Sequence, residues 1–171
     1  YLNGIACAYA TDTKKIGVII AVESDSMLTW AEGIKDAAQY VDESIQVTVV
    51  ATGTFDDPIK AKQATDALAE QGCDVITQNA DACGNGAVEE CDALGLMNVG
   101  AVGDQSTYGE SCFISVMQDA HLGIETAVAE AIEGTLPSGA VVMGANAGVV
   151  YLTDYTGKYA DLLTADQKAD L

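Results

Sequence analysis

The chain has 171 residues, which is enough for one domain with its own hydrophobic core. It carries 26 Asp and Glu residues, seven Lys and no Arg, for a formal net charge of −19. No basic cluster is available to replace the counterions of a nucleic acid, so no nucleic-acid partner is expected. Hydrophobic residues make up 49% of the chain, but no apolar run reaches the roughly 18 residues that a membrane-spanning helix needs. The composition indicates a folded globular domain with a solvated acidic surface.

The predicted elements alternate between helices and strands. In chain order they are a helix at 2–10, a strand at 15–22, a helix at 27–41, a strand at 44–51, a helix starting at 58, a strand at 73–79, a helix at 84–94, strands at 97–102 and 112–116, a helix at 119–133, strands at 140–144 and 149–152, and a helix at 164–171. Strands linked by crossover helices are parallel. The sequence therefore predicts an α/β fold, with a doubly wound, mainly parallel sheet and flanking helices.

The clearest unit is the strand–helix–strand segment 51–76. Gly53 ends the strand, Asp56 and Asp57 stand at the N-cap, and Pro58 occupies the first helical turn, where its missing N–H is not needed. An apolar stripe at helical spacing follows: Ile59, Ala61, Ala64, Ala67 and Leu68. Gly72 then closes the helix. The two aspartates are interpreted as helix caps rather than as site residues.

The helix predicted at 119–133 carries a second apolar stripe. Its members are Leu122, Ile124, Ala127, Val128, Ala131 and Ile132. Spacing of this kind is typical of a helix that buries one face, so these side chains are expected on the inner side of the helix. Gly134 and Pro137 end it.

A ligand of a doubly wound fold is expected at the carboxyl ends of the strands. The loop at 79–86 is small and polar and leads into a helix, so its backbone N–H groups suit an oxyanion or a sugar hydroxyl. The same loop reads equally as a tight turn without a ligand. It has neither a Walker lysine nor GxGxxG spacing, which argues against a nucleotide phosphate.

Three further residues near predicted strand ends are candidates for ligand contacts. Trp30, the only tryptophan, lies near the start of a helix and could stack on a flat ligand, or cover a domain interface or the core. Asp104 and Gln105, just past a strand, can accept and donate hydrogen bonds to hydroxyl groups.

The five cysteines fit no zinc-binding pattern. Four of them, Cys73, Cys83, Cys91 and Cys112, fall within 40 residues, so a disulfide among them and a set of small buried thiols are both consistent with the sequence. The only histidine, His121, is remote in sequence, and no GxSxG elbow is present. An enzyme, a metal site and a cofactor are therefore not expected.

Several segments, in the same order along the chain, resemble the basic membrane protein family, the purine-nucleoside-receptor-like solute-binding lipoproteins of ABC transporters. The most specific is TGTFDDP at 52–58, followed by EQGCDVI at 70–76. Weaker matches are YLNGIACAYAT at 1–11, KKIGVI at 14–19, WAEGIK at 30–35, GDQ at 103–105 and SVM at 115–117. The resemblance covers nearly the whole chain.

The resemblance implies a lobe like those of type I periplasmic binding proteins, in which two α/β lobes close on a ligand. Family members are about twice as long, so the chain would be mostly the second lobe. Residues 1–144 are then the ligand-binding lobe, and 145–171 form a crossing segment with a terminal helix returning toward the first lobe. The implied partners are a nucleoside-like small molecule and an ABC transporter permease. The implied location is extracellular or periplasmic, with a lipid anchor outside this chain.

The resemblance also assigns ligand-binding residues. They are Trp30, Asp81, Gly84, Asn85, Asp104 and Asn146. Trp30 would stack on the base, and the amides of Gly84 and Asn85 and the carboxylate of Asp104 would orient its polar edges. The family has a lysine near the last strand, and Asn146 is the polar residue nearest to the corresponding position in this chain. At Val102 the family's nucleoside receptors often carry an Asp that holds the ribose hydroxyls.

An alternative is a structural or protein-interaction domain on the cell surface that has lost the ligand pocket. A single lobe, the replacement of the ribose-binding Asp by Val102 and the five cysteines favour it. Saturable binding of a small molecule would separate the two interpretations.

Overall fold

A computed structural model describes all residues, 1–171. The elements are α1 (Leu2–Ala10), β1 (Lys15–Ile20), α2 (Asp25–Val41), β2 (Gln46–Ala51), α3 (Pro58–Glu70), β3 (Val75–Asn79), α4 (Asp81–Leu94), β4 (Met97–Val102), β5 (Cys112–Gln118), α5 (Ala120–Glu133), β6 (Val150–Leu152) and α6 (Ala165–Asp170). Two short 3-10 turns, Ala145–Ala147 and Gly157–Tyr159, flank β6. No helix combines the length and the apolar character that crossing a membrane requires.

One six-stranded sheet organises the chain, in the order β2-β1-β3-β4-β5-β6. The first five strands are parallel, and β6 pairs antiparallel with β5 at the edge. The chain runs outward from β1 to β2 on one side and then from β3 to β5 on the other. This is the doubly wound arrangement that the sequence predicts, and its switch point lies between β1 and β3.

Hydrophobic side chains cover both faces of the sheet. Ile16, Val18 and Ile20 of β1 join the cluster that packs against α1 and α2, whereas Ile19 joins the cluster under α3 and α4. The strands are therefore buried on both sides, which explains why β1 reads as a continuous apolar run. Helices α1 and α2 approach closely at Gly4, where an added Cβ would lie 2.6 Å from the Ala37 Cβ.

The start of α3 is as the sequence predicts. Asp57 is the N-cap and accepts a hydrogen bond from the Ile59 N–H at 3.0 Å, with Pro58 at the first helical position. Ala61, Ala64 and Leu68 of the predicted stripe are buried, but Ile59 and Ala67 are exposed.

Helix α4 begins at Asp81, three residues earlier than predicted. Two hydrogen bonds hold this start: the Ala80 N–H donates to the Gln78 side chain at 3.0 Å, and the Cys83 N–H donates to the Phe55 carbonyl at 2.8 Å. The segment 81–86 is therefore helical rather than a loop, and Phe55 from the TGTFDDP motif helps to fix it.

The predicted inner face of α5 is wrong, because no residue of this helix is buried. Ile124, Val128 and Ile132 are 65%, 53% and 83% exposed. The predicted strand at 140–144 is also absent, since this segment has no strand partner. Both patterns are apolar, but neither segment is buried by the rest of the chain.

The segment 119–149 projects from one edge of the lobe and returns to it. The Asp119 N–H donates to the Val149 carbonyl at 2.7 Å, so the two ends of the projection meet. Asp119 is also the N-cap of α5 and accepts from the Leu122 N–H at 2.9 Å.

Residues 150–171 pack on the same lobe as 1–118. Leu163 is buried in the cluster that contains α1 and α2, and the Tyr9 hydroxyl donates to Asp170 of α6. The predicted helix at the C-terminus forms, with a capping box between Thr164 and Gln167. The sequence-based division at residue 144 stays a prediction, and the part that projects from the lobe is 119–149.

Candidate functional site

A cavity of about 370 Å³ opens where β3 and β4 end, beside the switch point of the sheet. It is lined by Gln78, Asn79, Ala80, Asp81, Ala82, Asn85, Ala101, Val102, Gly103, Asp104, Gln105 and Tyr108. We call it the carboxyl-edge cavity. Its size and position are those of a small-molecule site in an α/β fold.

Three of the predicted site residues meet in the carboxyl-edge cavity. Asp81 and Asn85 come from the first turns of α4, and Asp104 comes from the loop after β4. Asp104 also accepts a hydrogen bond from the Ser106 N–H at 2.9 Å, which orders its loop. The lining contains two carboxylates and no lysine, so the cavity disfavours an anionic ligand and suits hydroxyl donors.

Two glutamines line this cavity, of which the sequence analysis named Gln105 as a hydrogen-bonding candidate and missed Gln78. Gln78 is 1% exposed, and its Nε2 has no hydrogen-bond partner. The Oε1 of Gln105 is likewise buried and unpartnered, while the Gln105 backbone N–H donates to the Ser115 hydroxyl at 3.0 Å. The one signal for Gln78 is a polar residue inside an otherwise buried strand, and buried polar groups are the informative exceptions.

Gly84 does not line the cavity. It lies beneath Gln78, where an added Cβ would be 2.6 Å from Nε2 and closer still to Oε1. Its own N–H donates to the Ala80 carbonyl at 3.3 Å. The amide expected to orient a ligand is thus engaged in the helix, and the glycine makes room for the Gln78 side chain.

A second cavity, of about 250 Å³, lies next to the first. Its lining is Tyr1, Leu2, Asn3, Trp30, Asn79, Val102, Val116, Met117, Gln118 and Val150. We call it the tryptophan cavity. Trp30 therefore stands apart from Asp81, Asn85 and Asp104, although Asn79 and Val102 line both cavities.

Val102, which lines both cavities, has a strained backbone conformation. Its φ is +69°, a region that β-branched residues rarely adopt. Asp81, at the mouth of the carboxyl-edge cavity, also has a positive φ of +48°, which Asp tolerates more easily. Backbone strain of this kind concentrates at functional sites.

Asn146 is not brought to the other predicted residues. It lies exposed in the 3-10 turn of the projecting segment and lines neither cavity.

All five cysteines are buried free thiols, so the disulfide considered for Cys73, Cys83, Cys91 and Cys112 is not formed. Burial raises the pKa of the Cys73, Cys91 and Cys112 thiols, and a Ser115 hydrogen bond partly offsets this effect at Cys112. Protonated, buried thiols are poor nucleophiles. No three His, Cys, Asp or Glu side chains cluster closely enough to hold a metal ion.

A doubly wound lobe with its cavities at the carboxyl ends of the strands is the architecture of a ligand-binding lobe. The structure resembles that of a transcriptional activator of the comK gene from Bacillus halodurans, with a TM-score of 0.83 and 25% identity, covering 99% of this chain and 58% of that one. The family model described as ABC transporter substrate-binding protein PnrA-like matches residues 1–169. The chain belongs to this family, Bmp, as its sequence indicates. The description of this family model is that of a substrate-binding protein, not of an enzyme.

Two curated relatives illustrate the range of the family. The nucleoside-binding protein BmpA of Lactococcus lactis is 37% identical over 94 residues, which is 55% of this chain and 27% of BmpA. The transcriptional activator protein Med of Bacillus subtilis is 26% identical over 170 residues, which is 97% of this chain and 50% of Med. The chain thus spans at most about half the length of these relatives.

Proposed function

We propose that the chain is the ligand-binding lobe of an ABC transporter solute-binding protein that takes a nucleoside-like small molecule. The observation that carries the proposal is the carboxyl-edge cavity, which gathers Asp81, Asn85 and Asp104 at the strand ends of a family member. The relative BmpA, named for nucleoside binding, supports this ligand class. An extracellular or periplasmic location, a lipid anchor outside this chain and a permease partner belong to the same proposal.

The chemistry of the two cavities suits a ligand with a polar part and a flat part. The carboxylates of Asp81 and Asp104 accept hydrogen bonds from hydroxyl groups, and the Asn85 amide can both donate and accept. Trp30, in the adjoining tryptophan cavity, offers an aromatic face on which a base can stack. No lysine lines either cavity, so a phosphorylated ligand is not proposed.

The proposed mechanism is a population shift between an open and a closed pair of lobes. The ligand contacts this lobe and a first lobe, and it stabilises the closed form that the permease recognises. The exposed stripe of Ile124, Val128 and Ile132 on α5 is the surface that we assign to the first lobe. A contiguous exposed apolar face of this kind is typical of an interaction site.

The test is saturable binding of nucleosides. Isothermal titration with inosine, adenosine and uridine is performed on this chain and on a version extended by an upstream lobe. Trp30→Ala is expected to weaken binding by about 1 kcal/mol, the size of an aromatic stacking contact. Tyr40→Ala is the matched control, because Tyr40 is 77% exposed on the same helix and lines neither cavity. Unchanged affinity in Trp30→Ala would remove this residue from the site.

The second candidate is a structural or protein-interaction domain without a ligand. The uncovered stripe on α5 favours it, since such a surface also suits a protein partner. If neither version of the protein binds nucleosides, this second candidate is favoured over the ligand-binding lobe.

A further inference from the structure

The carboxyl-edge cavity is lined by one aromatic residue, Tyr108. Every other lining residue except Val102 is polar, an alanine or a glycine. Tyr108 is 46% exposed, so a molecule in the cavity can reach it. An aromatic side chain among a few polar groups is a usual composition of a small-molecule site. The proposed function gives a role to the polar groups of this cavity but not to its ring.

The loop that carries Tyr108 is anchored on both sides of this residue. Before it, the Gln105 N–H donates to the Ser115 hydroxyl at 3.0 Å, and the Tyr108 N–H donates to the Gln105 carbonyl at 3.0 Å. After it, the Glu110 N–H donates to the Asp92 carboxylate of α4 at 2.9 Å. The backbone at Tyr108 is therefore held in place before a ligand binds, so little backbone freedom is lost on binding.

Hydrogen-bonding groups lie in the same cavity as this ring. Asp81 and Asn85 come from the first turns of α4, and Asp104 comes from the loop after β4. Their carboxylate and amide oxygens accept hydrogen bonds, and the Asn85 amide also donates. A sugar combines hydroxyl groups, which need such partners, with C–H groups, which pack against an aromatic face. The cavity therefore offers both kinds of contact that a sugar makes.

The flat part of the ligand has its own place next door. The tryptophan cavity adjoins the carboxyl-edge cavity, because Asn79 and Val102 line both. Its lining is mostly apolar and includes Trp30, whose ring suits a base. The two cavities can therefore divide a nucleoside-like ligand between them, with an aromatic residue for each part.

We propose that Tyr108 is a specificity-determining residue, whose ring packs against the C–H groups of a sugar in the carboxyl-edge cavity. The hydroxyl groups of that sugar face Asp81, Asn85 and Asp104. The inference rests on the proposed function, since it names the part of the ligand that this cavity takes. It leaves the base on Trp30.

The experiment compares inosine with hypoxanthine, which is the same base without the sugar, by isothermal titration of this chain and of the version extended by an upstream lobe. Tyr108→Ala is expected to weaken inosine binding roughly three- to tenfold, the effect of one aromatic contact, and to leave hypoxanthine binding unchanged. Tyr108→Phe keeps the ring and is expected to bind inosine as the unmodified protein does. Tyr40→Ala is the matched control, because Tyr40 is exposed and lines neither cavity.

Three outcomes would overturn the inference while leaving nucleoside binding intact. Inosine binds Tyr108→Ala as tightly as the unmodified protein, Tyr108→Ala weakens inosine and hypoxanthine binding equally, or Tyr108→Phe weakens inosine binding as much as Tyr108→Ala does. If inosine binds neither version of the protein, the nucleoside proposal fails, and D-ribose and D-glucose are titrated instead. Sugar binding that is weakened in Tyr108→Ala and retained in Tyr108→Phe then supports the role of Tyr108, and any other result overturns it.

Discussion

Replacing Gly84 with alanine tests how the Gln78 side chain packs against α4, without any ligand. The added Cβ would lie 2.6 Å from the Gln78 Nε2 and closer to Oε1 and Cδ, so the amide must move. Gln78 is almost fully buried and has little space to move into. Its displacement also breaks the hydrogen bond from the Ala80 N–H.

The size of the effect follows from three terms. Overpacking in a core costs about 1–3 kcal/mol, and a lost intramolecular hydrogen bond costs about 1 kcal/mol. Alanine gains about 1 kcal/mol over glycine in a helix interior. Gly84→Ala is therefore expected to lower the free energy of unfolding by about 1–3 kcal/mol, measured by urea denaturation.

Gly33→Ala is the matched control. Gly33 lies in the interior of α2, and an added Cβ there meets nothing within 4 Å. Only the helix term remains, so this variant is expected to gain about 0.5–1 kcal/mol. Equal stability of the Gly84→Ala and Gly33→Ala variants would refute the contact between Gly84 and Gln78. The contact would be supported if the double variant Gly84→Ala, Gln78→Ala loses less free energy of unfolding than the sum of the two single changes.

Three further changes test other parts of the structure. Val102→Gly is expected to stabilise the chain by about 1 kcal/mol in urea denaturation, because it removes the Cβ from a residue with positive φ. Val102→Ala keeps the Cβ and therefore the strain. Equal effects of the two changes would contradict this explanation. Ile132→Ser on α5 is expected to change the free energy of unfolding by less than about 0.5 kcal/mol, because Ile132 is exposed. Leu68→Ala, in the core, is expected to lower it by about 2–5 kcal/mol. A large decrease in the free energy of unfolding for Ile132→Ser would mean that the stripe is covered. The free energy of unfolding is expected to fall as the pH rises above about 8.5, because thiols in the unfolded chain then lose their protons, whereas the buried thiols, with their raised pKa values, retain them. In denaturation curves measured between pH 8 and 10, Cys91→Ala is expected to reduce this dependence on pH. An unchanged dependence would exclude Cys91 as a cause.

Local signals in the sequence predicted local structure well. The N-cap of α3 was predicted because Asp57 and Pro58 act within one helical turn. The alternation of elements predicted the parallel sheet, and with it the edge at which Asp81, Asn85 and Asp104 meet. These features depend on neighbours in the chain or on topology alone.

Features that depend on remote partners were not predictable. The stripe on α5 has the spacing of a buried face, but the spacing does not say which surface covers it, and no residue of this helix is buried in the chain. The close approach of Gln78 and Gly84 was not predictable either, because these residues lie on different elements and meet only in the folded state. Trp30 lines the neighbouring cavity for the same reason, because its position depends on how α2 packs on the sheet.

The meeting of Asp119 and Val149 has a topological consequence. Strands β5 and β6 are antiparallel neighbours, and Gln118 pairs with Val150 where they leave the sheet. The 31 residues between them, 119–149, are therefore an oversized hairpin loop in topological terms. A two-residue turn such as Asn-Gly could close the same pair of strands. The sheet thus carries the whole projecting segment on a single pair of adjacent strand ends.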